Sequence, residues 1–226
     1  MTPKSTVVLF DVNETLFDLH GLDESFAELF SSPHVRGDWF KQLLQLSLLA
    51  NTLEDYFDFA VLSGRALTMV AEQHGRTLSE RESQSILRAI RALRPHDDVA
   101  PALDMLAASG FRLATLTNSP LRTLEAQLGS AGLTGRFEQR LSVDAVERYK
   151  PARATYQYAA RQLGVPIGQI VMVAAHGWDV VGAMRAGAEA AFVARPGQVL
   201  IPDAPIPSIV APTLTGVAEQ LVSRFH

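Results

Sequence analysis

Apolar residues recur in two rhythms along the chain, and the change of rhythm divides it. Val7-Val8-Leu9-Phe10 is a short β-rich run, apolar at every position, as expected of a strand buried on both faces of a parallel sheet; it stops at Asp11. From about residue 22 to 94 the spacing is helical. Leu22, Phe26, Leu29 and Phe30 share one face, as do Trp39, Leu43 and Leu46, and again Ile86, Ile90 and Leu93. Tyr56 to His74 also has helical spacing, with a break expected at Ser63-Gly64. No strand is expected in this block, and Pro95 marks its end.

Beyond Pro95 strands and helices alternate. Helices are expected over Pro101–Ser109, Leu121–Ala131 and Ala152–Leu163, from about Asp179 to Gly187, and over Gly216–Arg224. Gly110, Gly132 and Gly164 stand where a left-handed cap would close the first three. Strands are expected at Arg112–Leu116, weakly at Leu141–Val143, at Ile170–Val173 and at Ala190–Ala194. Pro196 to Pro212 makes a long surface loop around a short strand. This alternation predicts an α/β fold: a Rossmann-like, doubly wound parallel sheet with an all-helical cap inserted after the first strand. The core domain is expected over residues 1–16 and 96–226 and the cap over 17–95.

Composition narrows the function. The chain has 226 residues, which suits one domain carrying an insertion or two small domains. Its net charge is −4, and its basic residues are scattered apart from a mild cluster at Arg88, Arg91 and Arg94, so nucleic acid is not an expected partner. There are no cysteines, which excludes disulfides, thiolate metal sites and a cysteine nucleophile. After Met-Thr-Pro-Lys-Ser the first apolar run is too short for a secretion signal, and no stretch reaches the ~18 apolar residues of a membrane span, so a cytoplasmic protein is expected. Leu44, Leu48, Leu49, Tyr56 and Phe57 exceed what one small bundle readily buries; they suggest a homodimer, or else pack on the core.

Ligands of open α/β sheets bind beyond the carboxyl ends of the strands. Asp11, then Thr117-Asn118-Ser119, then Lys150, then His176 and Asp179 fall at such ends. Each has a bland reading. Asp11 could cap a turn, and Thr117-Asn118-Ser119 could be a helix N-cap. Lys150 could be a solvated loop residue, Asp179 a first-turn acid and His176 a packing residue. Their convergence on one crevice is what favours chemistry.

Together these residues resemble the haloacid-dehalogenase-like superfamily. Asp11-Val12-Asn13-Glu14-Thr15-Leu16 looks like its first motif and Leu116-Thr117-Asn118-Ser119 like its second. Lys150-Pro151 with Tyr156 looks like the third, and Ala174-Ala175-His176-Gly177-Trp178-Asp179 like the fourth. The Trp-Asp pair, the Lys-Pro-to-Tyr spacing and the helical insertion are similar to the L-2-haloacid dehalogenase branch. The resemblance implies that Asp11 is a nucleophile forming an ester with the substrate, a route that splits one hard displacement into two easier ones. It implies that Lys150 keeps Asp11 ionised, that Thr15 orients it, and that Asp179 positions Lys150 and activates water. Substrate contacts are expected from Asn13, Phe40, Thr117, Asn118, Tyr156 and His176.

Three departures stand out. Asn13 replaces the acid that superfamily phosphatases use to protonate a leaving oxygen, and it is not the aromatic residue usual in dehalogenases. Phe40 follows Trp39 where the dehalogenases bring an arginine to the halide; Arg36 and Lys41 lie nearby in sequence. Ala174 and His176 stand where the family often has serine and asparagine, and His176 can act as a base or a cationic anchor near neutral pH.

The leading expectation is a hydrolase acting on a small anionic molecule through an aspartyl ester, an (S)-2-haloacid dehalogenase-like reaction without cofactor or metal. The alternative is a phosphatase acting on a small phosphate ester or acyl phosphate, with Mg²⁺ held by Asp11, a carbonyl near Asn13 and Asp179. A non-enzymatic binding role is the third.

Overall fold

Strand β1, Val7–Phe10, has no exposed residue, and its all-apolar composition places it at the centre of a parallel sheet. The computed structural model describes residues 6–225; the first five residues and His226, expected in the core domain, lie outside the described residues. After β1 come four helices: α1 (Asp23–Phe30), α2 (Val35–Leu53), α3 (Phe59–Gln73) and α4 (Glu80–Arg91). The chain then alternates through α5 (Val99–Ala108), β2 (Arg112–Thr117), α6 (Leu121–Ser130), β3 (Gln139–Ser142) and α7 (Arg153–Leu163). It ends with β4 (Ile170–Ala174), α8 (Gly177–Ala186), β5 (Glu189–Val193), β6 (Ile209–Ala211) and α9 (Leu214–Phe225).

All strand pairs are parallel, in the order β3-β2-β1-β4-β5-β6. The chain winds outward from β1 in one direction through β2 and β3, and in the other through β4, β5 and β6. The crevice where this direction reverses lies beyond the ends of β1 and β4, the site such sheets offer to ligands. Phe10 is level with Thr115 of β2 and Val173 of β4, and Asp11 N–H donates to Val173 O at 3.0 Å, so Asp11 leaves the sheet at that point.

The helical insertion joins the sheet through two adjacent segments. Asp18 N–H donates to Arg94 O at 3.0 Å and His96 N–H to Leu16 O at 2.9 Å, tying its entry to its exit. Helix α4 begins at a capping box in which Ser79 and Glu82 satisfy each other's backbone N–H groups. Trp39 of α2 is buried and donates through its indole N–H to Ser63 O at 3.1 Å. One difference from the sequence reading lies at this contact: α3 runs unbroken through Ser63-Gly64, with Ser63 buried where its carbonyl takes the Trp39 indole N–H. It also starts only at Phe59, capped by Asp58, whose carboxylate accepts from Ala60 N–H. Other boundaries move slightly. Strand β3 lies two residues earlier than expected, and α8 starts at Gly177, before Asp179.

Leu44, Tyr56 and Phe57 pack against the apolar core, and Tyr56 donates its hydroxyl to Asp144, while Leu48 and Leu49 are half exposed. Among the described residues no helix is long and apolar enough to cross a membrane.

Gly164 and Gly187 close α7 and α8 with φ of 66° and 106°, the left-handed geometry glycine adopts without cost. Gly182 matters for another reason: a Cβ there would lie 2.4 Å from Pro151 Cβ and 2.7 Å from the Tyr156 hydroxyl. Helix α8 therefore sits hard against the segment that carries Lys150. Gly182→Ala is expected to cost about 1–3 kcal/mol by overpacking, a fall in melting temperature of roughly 3–10 °C. A variant melting with the wild type in a calorimeter would contradict this close approach.

Candidate active site

The first strand delivers Asp11 to the crevice, and three side chains meet its carboxylate. Lys150 Nζ lies 2.7 Å from Oδ1. Thr15 donates its hydroxyl to Oδ2 at 2.7 Å, and its own oxygen accepts the Ala175 N–H at 2.9 Å, which fixes the direction of that donation. His176 Nδ1 lies 3.1 Å from the same Oδ2. Asp11 is 5 % exposed. Burial by itself would raise its pKa, but the Lys150 charge and the His176 contact outweigh that and hold it well below the usual carboxylate range. Asp11 is thus a buried but ionised carboxylate at neutral pH.

Lys150 is equally buried and bridges two acids, with Asp179 Oδ2 at 2.6 Å. Burial lowers its pKa, but the two carboxylates more than compensate and raise it, so it stays charged. Its backbone N–H donates to Asn118 Oδ1 at 2.9 Å. Asn51 of α2 clamps the preceding residue, donating to Tyr149 O and accepting from Tyr149 N–H, each at 2.8 Å. The helical insertion thereby holds the segment that presents the lysine. Asp179 is fully buried. Its burial, added to the charge on Asp11, raises its pKa despite Lys150.

Several expected substrate contacts are occupied within the protein. Tyr156 is buried and donates its hydroxyl to Asp179 Oδ1 at 2.6 Å, behind the lysine rather than facing a ligand. Thr117 Oγ1 accepts the Ser119 N–H at 3.1 Å in a local turn, and the expected N-cap role is not taken, because Pro120 is the N-cap of α6. Asn118 uses its carbonyl on Lys150 N–H, while its amide N–H₂ has no partner among the described residues. Asn13 donates to Ser119 Oγ and accepts from Gln127 Nε2, both at 3.1 Å. Phe40 forms part of the wall of a cavity of about 50 Å³, with Asn13, Ser119, Trp39, Leu43 and Phe59. That cavity reaches the loops on either side of Asp11 without being lined by Asp11 itself. Lys41 points to solvent, 82 % exposed. Arg36 is largely buried, pairs with Asp23, and lies 4.0 Å from Glu14.

Glu14, Gln198 and Arg195 were not singled out from sequence. Glu14 Oε2 accepts from His176 Nε2 at 2.8 Å and from Gln198 Nε2 at 3.0 Å. Arg195 grips Asp98 with two donors and gives a third bond to Thr15 O at 2.9 Å, buttressing the loop after β1. The legible signal for Glu14 was an acid inside the first motif; the other two come from loops whose approach only the fold determines.

His176 has a carboxylate at each ring nitrogen, its ring stacks on Trp178 with centroids 5.0 Å apart, and Phe40 lies 5.9 Å away. Burial lowers its pKa, but Asp11 and Glu14 overcome this and lift it to about 9. Because the folded value exceeds the ordinary 6.5, the stabilisation is complete below about pH 6.5 and is lost as pH rises through about 9. The melting temperature is expected to decline between those values, and to decline less steeply in His176→Asn. Equal slopes in thermal melts of the two proteins would contradict a charged imidazole.

The two carboxylates do not fit a divalent cation as arranged. Lys150 Nζ sits between them, Tyr156 takes the other oxygen of Asp179, and His176 brings a second positive charge to Asp11. Among the described residues no group of three or more His, Asp or Glu side chains is disposed to hold a metal.

The family model for haloacid dehalogenase-like hydrolases matches residues 6–187, most of the chain, and spans all four motifs. The chain belongs to that hydrolase family. It is 29 % identical over 194 residues to the (S)-2-haloacid dehalogenase of Pseudomonas sp. strain YL, covering 85 % of this chain and 84 % of the relative. Its fold is similar to that of the L-2-haloacid dehalogenase RSc1362, with a TM-score of 0.92 and 28 % identity over 96 % of this chain and 98 % of the other. It is also similar to the L-2-haloacid dehalogenase of Xanthobacter autotrophicus with chloropropionic acid covalently bound. That comparison has a TM-score of 0.91 and 25 % identity over 96 % and 98 % of the two chains. The parallel sheet and the helical insertion after β1 are those of this hydrolase family.

Proposed function

We propose that this hydrolase is an (S)-2-haloacid dehalogenase-like enzyme in which Asp11 displaces halide from the 2-carbon of a small haloacid and forms an aspartyl ester that water then cleaves. The observation that carries the reading is the buried, ionised carboxylate of Asp11, with Lys150 at 2.7 Å on one oxygen and Thr15 at 2.7 Å on the other. A carboxylate held free of protons in a poorly solvated crevice is a competent nucleophile at neutral pH. The names of the relatives support the same reaction, and so does the covalent adduct in the Xanthobacter autotrophicus protein.

The roles follow from position. Asp11 attacks, Lys150 keeps it ionised, and Thr15 aims it. Asp179 and, behind it, Tyr156 hold the lysine in place. Asn118 offers its unused amide N–H₂ to the substrate carboxylate or the departing anion. Phe40, Asn13 and Ser119 bound the space for the rest of the substrate. Residues 17–95 act as a cap over a core formed by the rest of the chain.

The test is halide release from chloro-, bromo- and fluoro-2-alkanoic acids with chelator present, read by ion chromatography. Release unaffected by chelator is expected. Absence of halide from all of them, with chelator-sensitive phosphate release from acyl phosphates, would replace this reading with phosphoryl transfer. The protein is further proposed to work in the cytoplasm as a homodimer through the exposed Leu48, Leu49 and Leu53 of α2. A monomeric mass by sedimentation at micromolar concentration would refute the dimer.

A further inference from the structure

The two oxygens of Asp11 are not equivalent. Oδ2 accepts from Thr15 Oγ1 at 2.7 Å and from His176 Nδ1 at 3.1 Å, which occupies both of its lone pairs. Among the described residues Oδ1 accepts only from Lys150 and keeps one lone pair free. On the aspartyl-ester reading, on which this inference rests, the substrate carbon therefore bonds to Oδ1, and Oδ2 becomes the carbonyl oxygen of the ester. Water attacking Cγ then places negative charge on Oδ2, where two donors already point at distances suited to an oxyanion.

His176 is built to serve there and nowhere else. With Asp11 on Nδ1 and Glu14 on Nε2, both ring nitrogens carry protons, so the ring has no free nitrogen to act as a base and no free N–H for a halide. Trp178 stacks on one face and fixes the plane. Glu14 is itself held, by Gln198 at 3.0 Å and with Arg36 4.0 Å away, and adopts a φ of 62°, uncommon for a residue with a side chain. That turn brings its carboxylate back to the imidazole. Four acids, Asp11, Glu14, Asp179 and Asp23, face three cations, Lys150, His176 and Arg36.

We propose that His176, positioned by Glu14, is a further catalytic residue, which with Thr15 forms the oxyanion hole for hydrolysis of the Asp11 ester. The water oxygen bonds to Cγ as the carbonyl π pair moves onto Oδ2, stabilised by the two donors. The pair returns, the Cγ–Oδ1 bond breaks, and Oδ1 leaves in the hydroxy acid with a proton from Lys150. One water proton restores Lys150 and the other passes to solvent, leaving Asp11 a carboxylate with one oxygen from water. Glu14 touches no reacting atom and is a positioning residue.

The experiment is rapid-quench halide release from excess 2-chloropropionate by wild type, His176→Gln and Glu14→Gln, with intact-protein mass read at each time. His176→Gln should keep a burst of one halide per site, slow its steady state on the order of 10²–10³-fold, and accumulate protein carrying the ester mass. Glu14→Gln should do the same more weakly. A burst slowed as much as turnover, with no ester accumulating, would overturn the proposal, as would unchanged turnover. If His176→Gln does not fold, the same readings on Glu14→Gln decide. No halide from the wild type would instead sink the dehalogenase reading and this step with it.

Discussion

Asp11→Asn is expected to lose at least about 10⁴-fold in turnover, the scale on which enzymes lose activity when a covalent nucleophile is removed, while keeping its fold. An amide oxygen is a poor nucleophile, and no other carboxylate can replace it. Asp179 is fully buried with both oxygens engaged, and Glu14 is committed to His176 and Gln198. The fold survives because the charges left behind retain partners: Lys150 keeps Asp179 and His176 keeps Glu14. Halide release and a thermal melt on the same sample check both halves. Residual turnover above one part in a thousand, or a melting temperature lowered by tens of degrees, would mean that Asp11 is a structural acid.

Lys150→Met should damage both stability and activity. It removes the one cation between Asp11 and Asp179, which lie on its two sides at 2.7 and 2.6 Å, and leaves two buried carboxylates facing each other. Breaking a buried pair from one side costs about 3–5 kcal/mol. Asp11 keeps His176 and Thr15, but Asp179 keeps only Tyr156 and stays buried beside the charge on Asp11, so its pKa rises further in the folded state, the folded form binds a proton more readily than the unfolded chain, and stability should recover as pH falls. Denaturant melts at pH 7 and pH 5 should therefore differ less from wild type at the lower pH, with turnover lost at both. A variant as stable as wild type at pH 7 would show that the lysine charge is not what holds the two acids together.

The fold could be read from the chain because its determinants are local. Four consecutive apolar residues before Asp11 mark a strand buried on both faces, and β1 lies at the centre of the sheet. Helical spacing over α1, α2 and α4 and the glycines after α7 and α8 mark elements where hydrogen bonds span only a few residues. The break expected at Ser63-Gly64 failed because propensity is a weak prior, and the packing of Trp39 on α3 overrides it. Asp11, Lys150 and Asp179 were legible for a different reason: each falls beyond a strand, and a parallel sheet sends such ends to one crevice, whereas Thr15 was indicated only by the resemblance of the first motif.

Side-chain partners were less legible. Tyr156 was expected to face a ligand but supports Asp179, and Asn13, which lines the cavity, has its amide engaged in joining Ser119 to Gln127. A hydroxyl or amide in a motif can point either way, and the choice depends on a partner 23 residues away for Tyr156 and on partners more than a hundred residues away for Asn13. Residue types and their order alone determined an α/β hydrolase with a carboxylate at the end of its first strand. Only the tertiary structure decided that His176 and Glu14 form a charged pair on that carboxylate, because a pKa is set by burial and by charges in space, neither of which the order of residues contains.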